Sequence, residues 1–273
     1  MTTLRGLNVV ITRPEAQAQT WQQQLEALGA TTFLMPVMQI ASLTGADEVE
    51  KINFVADNLT RYQKIIFVSQ NAVAEARRHF GQLFSQQPSA VTVFAIGSAT
   101  ATALRAWGLR VRQNDEAMNS ETLLQLSELQ APAGENILIC RGLGGRETLA
   151  AELRRRGASV DYCELYQRLP HPQAAMHLAR LPWGSDNQHR NKVVSAHSGD
   201  SVQLLSALLD NGGATARKMK TWPLLVPGER VKKLAVEAGF IHPITAANAS
   251  ATAMTQTLVQ WWTQRRSDSE RQG

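Results

Sequence analysis

The stretch NVVITRPEAQAQTWQQQLEALGATTFLMPV, beginning at Asn8, returns 128 residues later as NILICRGLGGRETLAAELRRRGASVDYCEL, beginning at Asn136. An internal repeat of this length constrains a fold more tightly than composition does, because one architecture must satisfy both copies. Each copy runs apolar strand, polar turn, amphipathic helix, Gly-Ala, second strand. Aligned without gaps, Arg13 falls on Arg141, Leu25 on Leu153, Gly29 on Gly157 and Ala30 on Ala158. The two glycines stand where a helix stops in a left-handed conformation.

The repeat runs on. KIIFVSQNAV (64–73) matches KVVSAHSGDSV (192–202), each a short apolar strand entering a helix, with Ser69 over Ser198 at a shift one residue longer. Matching Ser69 to Ser195 instead gives a shift shorter than 128, and both alignments stand at this point. VFAIGSATATALRAWG then matches LLVPGERVKKLAVEAG, so that Gly97 meets Gly228. LRVRQ and FIHPITAA read as the last strands, and Ser120 and Ser250 as caps of the helices behind them.

Strands of four to seven apolar residues thus alternate with amphipathic helices throughout. Such alternation predicts an α/β chain with parallel sheets covered by helices on both faces. Two copies predict two similar doubly wound parallel-sheet domains joined by a two-strand linker. FLMPVMQIASL and YCELYQRLP hold matching places, and both read as extended, so the chain leaves one domain and returns along them. The first domain is then residues 1–34 plus 170–264, and the second is 40–165. Residues 35–39 and 166–169 form the linker, the proline-rich segment after 169 is a loop or broken helix, and the polar tail 265–273 is disordered.

Composition narrows the function. At 44% hydrophobic and 19% charged the chain is globular. No apolar run approaches a membrane span, and the N-terminus lacks a signal peptide, so the expected compartment is the cytoplasm. Cys140 and Cys163 fit a reducing compartment, the first as a core residue and the second half exposed. The six histidines are scattered and suggest no metal site. The net charge of +5 is dispersed, and aromatics amount to only 6%, which argues against nucleic acid and leaves an anionic small molecule or a plain basic surface.

In open α/β sheets ligands collect beyond the carboxyl ends of the strands. There the first domain places Arg13, Ser198, Gly228, Glu229 and Arg230. The second places Ser69, Asn71, Gly97, Ser98, Thr100, Arg141, Gly142 and Arg146. These residues offer helix-initiating amides and guanidinium groups, both suited to carboxylates. No nucleophile elbow, dinucleotide fingerprint or phosphate loop is present at the required spacing. Each candidate also has a structural role open to it. Arg13 and Arg141 can pair with acidic neighbours, while Ser69, Asn71 and Thr100 can cap helices. Tyr166 is either a half-buried strand residue or a hydroxyl facing a gap between domains. His197 and Ser198 do not read as a catalytic pair, because adjacent strand residues face opposite ways.

With VVITRP, FVSQNAV, FAIGSAT, NSETLL, CRGLGGRETLAAELRRRGASV, ELYQR, VPGERVKKLAVEAGF and ATAMTQTL in order, the chain resembles the uroporphyrinogen-III synthases along nearly its whole length. The resemblance implies a cofactor-free lyase of haem biosynthesis, and nothing in the sequence demands more than a monomer. Its reaction closes hydroxymethylbilane, a linear tetrapyrrole with many carboxylates, into uroporphyrinogen III, losing water and inverting the last pyrrole ring. It implies Tyr166 as the acid that helps hydroxide depart, and a transient hand-over of substrate from the preceding enzyme of the pathway. A threonine common in the family is replaced by Val231 in GERV, which shifts part of the expected binding onto Arg230. The reading from another class is a two-domain anion-binding protein without catalysis.

Overall fold

The computed structural model describes residues 3–81, 91–112, 120–145, 147–181 and 191–271, with side chains described up to 267. In chain order the first elements are β1 (Asn8–Ile11), α1 (Glu15–Ala27), β2 (Thr31–Leu34) and β3 (Met38–Ser42). Next come α2 (Ala46–Asp57), β4 (Lys64–Phe67), α3 (Gln70–Phe80), β5 (Thr92–Ala95), α4 (Ser98–Ala106), β6 (Val111–Arg112) and α5 (Ser120–Leu123). After these follow β7 (Asn136–Gly142), α6 (Thr148–Arg155), β8 (Ser159–Pro170), α7 (Ala174–Ala179), β9 (Lys192–Ser195) and α8 (Gly199–Asn211). The chain closes with α9 (Gly213–Arg217), β10 (Pro223–Pro227), α10 (Gly228–Glu237), β11 (His242–Ala246) and α11 (Ala251–Arg271).

These elements form two units, Met1–Gln39 with Leu169–Gly273, and Ile40–Arg168. In the first unit the strand order is β11-β10-β9-β1-β2, every pair in it parallel. Side chains alternate between faces, as a strand requires. Val10, Val194, Leu224 and Val226 pack under α8 and α10, while Val9, Ile11, Val193 and Leu225 pack under α1 and α11. Burial on both faces explains why the strands read as unbroken apolar runs.

The second unit has the order β3-β8-β7-β4-β5-β6. One face, with Ile65, Phe67, Val93 and Leu138, is covered by α2, α3 and α4. The other, with Ile66, Phe94, Ile137 and Ile139, is covered by α5 and α6. Sheet order reveals how the repeat is used. The first unit reads β2-β1-β9-β10-β11 and the second, beyond its edge strand β3, β8-β7-β4-β5-β6, so each combines two strands of one copy with the β-strands that follow in the other. The matched glycines Gly29 and Gly157 both have positive φ, +90° and +89°, at the ends of α1 and α6.

Three expectations need correction. The tail predicted to be disordered from 265 continues α11 as helix to Arg271, because no glycine or proline interrupts it before Gly273. Cys163 is buried, not half exposed, because it pairs with Cys140 on the neighbouring strand and faces the α3 side of the core. The bounds of the two-strand linker, 35–39 and 166–169, are too short: β3 runs from Met38 to Ser42, and β8 runs for 12 residues to Pro170. Within the proline-rich segment α7 is a short helix, and residues 182–190 lie outside the described residues.

Candidate functional site

Each sheet reverses its strand order once, between β1 and β9 in the first unit and between β4 and β7 in the second. Beyond such a switch point adjacent loops diverge and leave room for a ligand. The repeat puts one arginine-ended strand and one serine-capped helix at each, with Arg13 and Ser198 in one unit and Arg141 and Ser69 in the other.

In the second unit the serine caps its helix as expected. Ser69 Oγ accepts from Ala72 N at 3.1 Å. It also lies 2.9 Å from the Tyr166 hydroxyl, to which Arg168 Nη2 donates at 2.9 Å. Tyr166 is fully buried and belongs to the core beneath α3 and α4. Alternation along β8 puts Cys163 and Leu165 on that face and predicts Tyr166 on the other. A bulge changes this: Arg141 pairs with Glu164 but Gly142 pairs with Tyr166, so Leu165 is the extra residue and Tyr166 turns inward. The hydroxyl expected at an open gap is therefore enclosed. Gly142 is required by this packing, since a Cβ there would lie 2.7 Å from the Tyr166 ring.

Arg141 is held from several sides. Its guanidinium pairs with Glu164 at 3.0 Å and Glu147 at 3.0 Å, donates to Gly145 O at 3.1 Å and stacks 3.6 Å from the centre of the Tyr162 ring. Tyr162 donates to Glu147, and this bond, then Arg141, holds the Glu147 carboxyl below the usual range. Of the two roles open to Arg141, the ion-pair role describes this arrangement. Nearby, Gly97 has φ +86° and precedes α4; Ser98 is exposed and Thr100 is buried in the first turn. Asn71 lies half-buried in the first turn of α3. Arg146 lies outside the described residues.

The first unit differs. Thr12 Oγ1 donates to Ser195 O at 2.6 Å, and Ser195 Oγ donates to Val10 O at 3.2 Å, stitching β1 to β9. Ser195 is thus a buried sheet residue. Ser198 caps α8, accepting from Ser201 N at 3.1 Å in a capping box, so Ser198 is the true counterpart of Ser69. Arg13 is partly buried, and burial lowers its pKa. Among the described residues its one hydrogen bond is to Ala249 O at 3.4 Å, and no carboxylate pairs with it. Gly228, with φ +70°, opens α10, where Arg230 is exposed.

Sequence reasoning undervalued two residues here. His197 has both ring nitrogens buried without a hydrogen-bond partner among the described residues, and its ring meets Trp21 edge-on at 4.9 Å. Burial, then Arg13, pushes its pKa well below the ordinary histidine value. Its signal was position, two residues beyond Ser195, which is level with Ile11 two residues before Arg13. Arg168 could have been found as the residue two beyond Tyr166 on one strand. Among the described residues no cluster of three or more His, Cys, Asp or Glu could hold a metal, and no helix is long and apolar enough to cross a membrane.

Comparison with known proteins adds an independent line. The sequence model of a family described as uroporphyrinogen-III synthase HemD matches residues 19–256. A uroporphyrinogen-III synthase of Salmonella typhimurium is 33% identical over 256 residues, covering 92% of this chain and all of that protein. One from Escherichia coli is 32% identical over 257 residues with the same coverage. A crystal structure of a mutant uroporphyrinogen III synthase from Thermus thermophilus is similar in fold, with a TM-score of 0.60 at 18% identity over 95% of this chain and 99% of that one.

Proposed function

The chain belongs to the uroporphyrinogen-III synthase family, and from that premise we propose that it closes hydroxymethylbilane into uroporphyrinogen III in haem biosynthesis, with loss of water and inversion of the last pyrrole ring. It is an enzyme acting on a small molecule. One observation links the reaction to these residues. Arg13, a cation at a switch point with no carboxylate partner among the described residues, suits a substrate rich in carboxylates.

The chemistry asks little of any single group. Once the departing hydroxyl of a pyrrolylmethyl carbon takes a proton, the pyrrole nitrogen stabilises the cation left behind. The protein's task is to fold the chain so that the correct carbon attacks, and to exclude competing closure. In this reading Arg13, Ser198, Gly228 and Arg230 in one unit, and Ser69, Asn71, Gly97, Ser98, Thr100 and Arg146 in the other, present donors to substrate carboxylates. Arg141 and Gly142 shape the second set, the former through Glu164 and Glu147 and the latter by making room for Tyr166.

Tyr166 serves as the acid that assists hydroxide loss. The Arg168 guanidinium donates to the phenol oxygen, which leaves the phenol proton free to be given. Because the hydroxyl is enclosed, it acts only once the strand-end loops above it part for substrate. The test is direct: supply hydroxymethylbilane, oxidise the product and separate the porphyrin isomers. The type III isomer is expected; type I alone, the product of spontaneous closure, would overturn the reading.

A further inference from the structure

The switch point of the first unit contains an unusual juxtaposition. Arg13 follows β1 and His197 follows β9, and their strands run parallel with Ile11 beside Ser195, so the two side chains leave the sheet next to each other. Among the described residues the cation has a single long bond to a carbonyl. The imidazole has two buried nitrogens with no partner among the described residues. Leaving one buried polar atom without a partner costs about 1–3 kcal/mol. Two such atoms on one ring, beside a guanidinium with no carboxylate partner among the described residues, favour a ligand that can pair with both groups. α8 adds the positive end of a 13-residue helix starting two residues after His197.

We infer that Arg13 and His197 form a proton-coupled carboxylate subsite, in which one substrate carboxylate docks on the guanidinium and is hydrogen-bonded by an imidazole that takes up a proton from solvent as the complex forms. The inference rests on the family reading, since it takes a tetrapyrrole carboxylate as the occupant. His197 as a whole is half-buried, so rotation about its side-chain bonds can present a nitrogen beside Arg13.

The electrostatics agree. Without ligand, burial and Arg13 both oppose the imidazolium. A carboxylate between the two groups reverses both effects, because it neutralises Arg13 and gives the imidazolium a counter-charge. In the first turns of the surrounding helices the other charged groups are Glu15 of α1, Asp200 of α8, and Glu229 and Arg230 of α10; all four are exposed. A histidine whose pKa rises on binding makes affinity increase as pH falls through the pKa of the complex, levelling off below that of the free protein.

The experiment is calorimetric titration of the whole enzyme with uroporphyrin III, the air-stable oxidised product, between about pH 6 and 8 in buffers of different ionisation enthalpy. Wild-type protein is expected to take up protons on binding and to bind about tenfold more tightly at the acid end, the effect of roughly one unit of pKa shift. His197→Gln keeps a hydrogen-bonding group that cannot protonate, so the uptake and the pH dependence attributable to this residue should vanish. His197→Phe should do the same while melting no lower than wild type, because it removes two unpartnered atoms. Uptake that is absent from the wild type, or undiminished in both variants, overturns the subsite. The isomer assay separates the two failures. Type III product without histidine-linked uptake leaves the family reading standing and removes this inference; type I product alone removes both.

Discussion

The two switch points descend from one repeat, yet they have become opposites. In the second unit Arg141 lies between Glu147 and Glu164 and over Tyr162; in the first, Arg13 faces no carboxylate among the described residues. The difference is written at matched positions. Shifting back by 128 residues, Glu147 becomes Gln19, Tyr162 becomes Leu34, Glu164 becomes Pro36 and Tyr166 becomes Met38. Conversely His197, beside Ser198, corresponds to Val68, beside Ser69. The second unit commits its arginine to ion pairs and has a tyrosine–serine–arginine chain; the first leaves its arginine uncommitted and has a histidine. Matched placement in a repeat therefore predicts where a side chain sits, and the neighbours decide what it does.

The strongest way to break this contrast is to delete both arginines in turn. Arg141→Ala should destabilise the protein by about 2–3 kcal/mol, because a buried cation's partners are left behind. Thermal unfolding would register it as a lowered Tm, with the KM of surviving enzyme little altered. Arg13→Ala should show the reverse: a nearly unchanged Tm and a KM raised roughly tenfold to a hundredfold, the loss of a charge-assisted hydrogen bond or two. That increase should shrink as salt is added. If both variants mainly lower Tm, the two sites are alike and the contrast fails.

Tyr166→Phe sharpens the second unit's half. We expect turnover to fall by about a hundredfold or less, the lower range for a positioned acid, with substrate binding retained. Because the hydroxyl is buried and bonded to Ser69 and Arg168, stability should also drop by about 1 kcal/mol. Wild-type turnover in steady-state kinetics would remove Tyr166 from the chemistry.

The smallest effect concerns acid. His197 has a folded pKa below its unfolded value, so its neutral form supports folding above about pH 6.5, and that support is lost as pH falls. The Glu147 carboxyl is also lowered, by Tyr162 and then Arg141, but its contribution is lost only below about pH 4.3. Denaturant midpoints measured at several pH values should show an early decline that His197→Phe abolishes and that Glu147→Gln leaves in place. The opposite assignment would mean that the histidine is already protonated in the folded chain.

Much of this architecture was legible in the sequence. The repeat and the apolar runs fixed the alternation of strands and helices, since a strand buried on both faces has no other pattern available. Ser69 and Ser250 read correctly as helix caps, because capping depends on short-range geometry. What stayed hidden depended on partners distant in sequence. Glu164 reaches Arg141 across 23 residues, and no local pattern marks the pair. The inward turn of Tyr166 came from a one-residue bulge, which inverts any inference from alternation. His197 looked unremarkable because what distinguishes it, two unanswered nitrogens, is a property of three-dimensional surroundings alone.

The exchange of strands between the copies has a consequence for synthesis on the ribosome. β1 is an inner strand of its sheet, yet its neighbour β9 is translated some 180 residues later, a separation also spanned by the Thr12–Ser195 bond. The middle unit, continuous in sequence, can close while translation is still under way. The first 39 residues must wait, apolar strands and all, for the last third of the chain to emerge. Nascent protein is thus most exposed to aggregation and to chaperone capture at its oldest end, and a message truncated between β8 and β9 yields one finished unit trailing the orphaned strands β1 and β2.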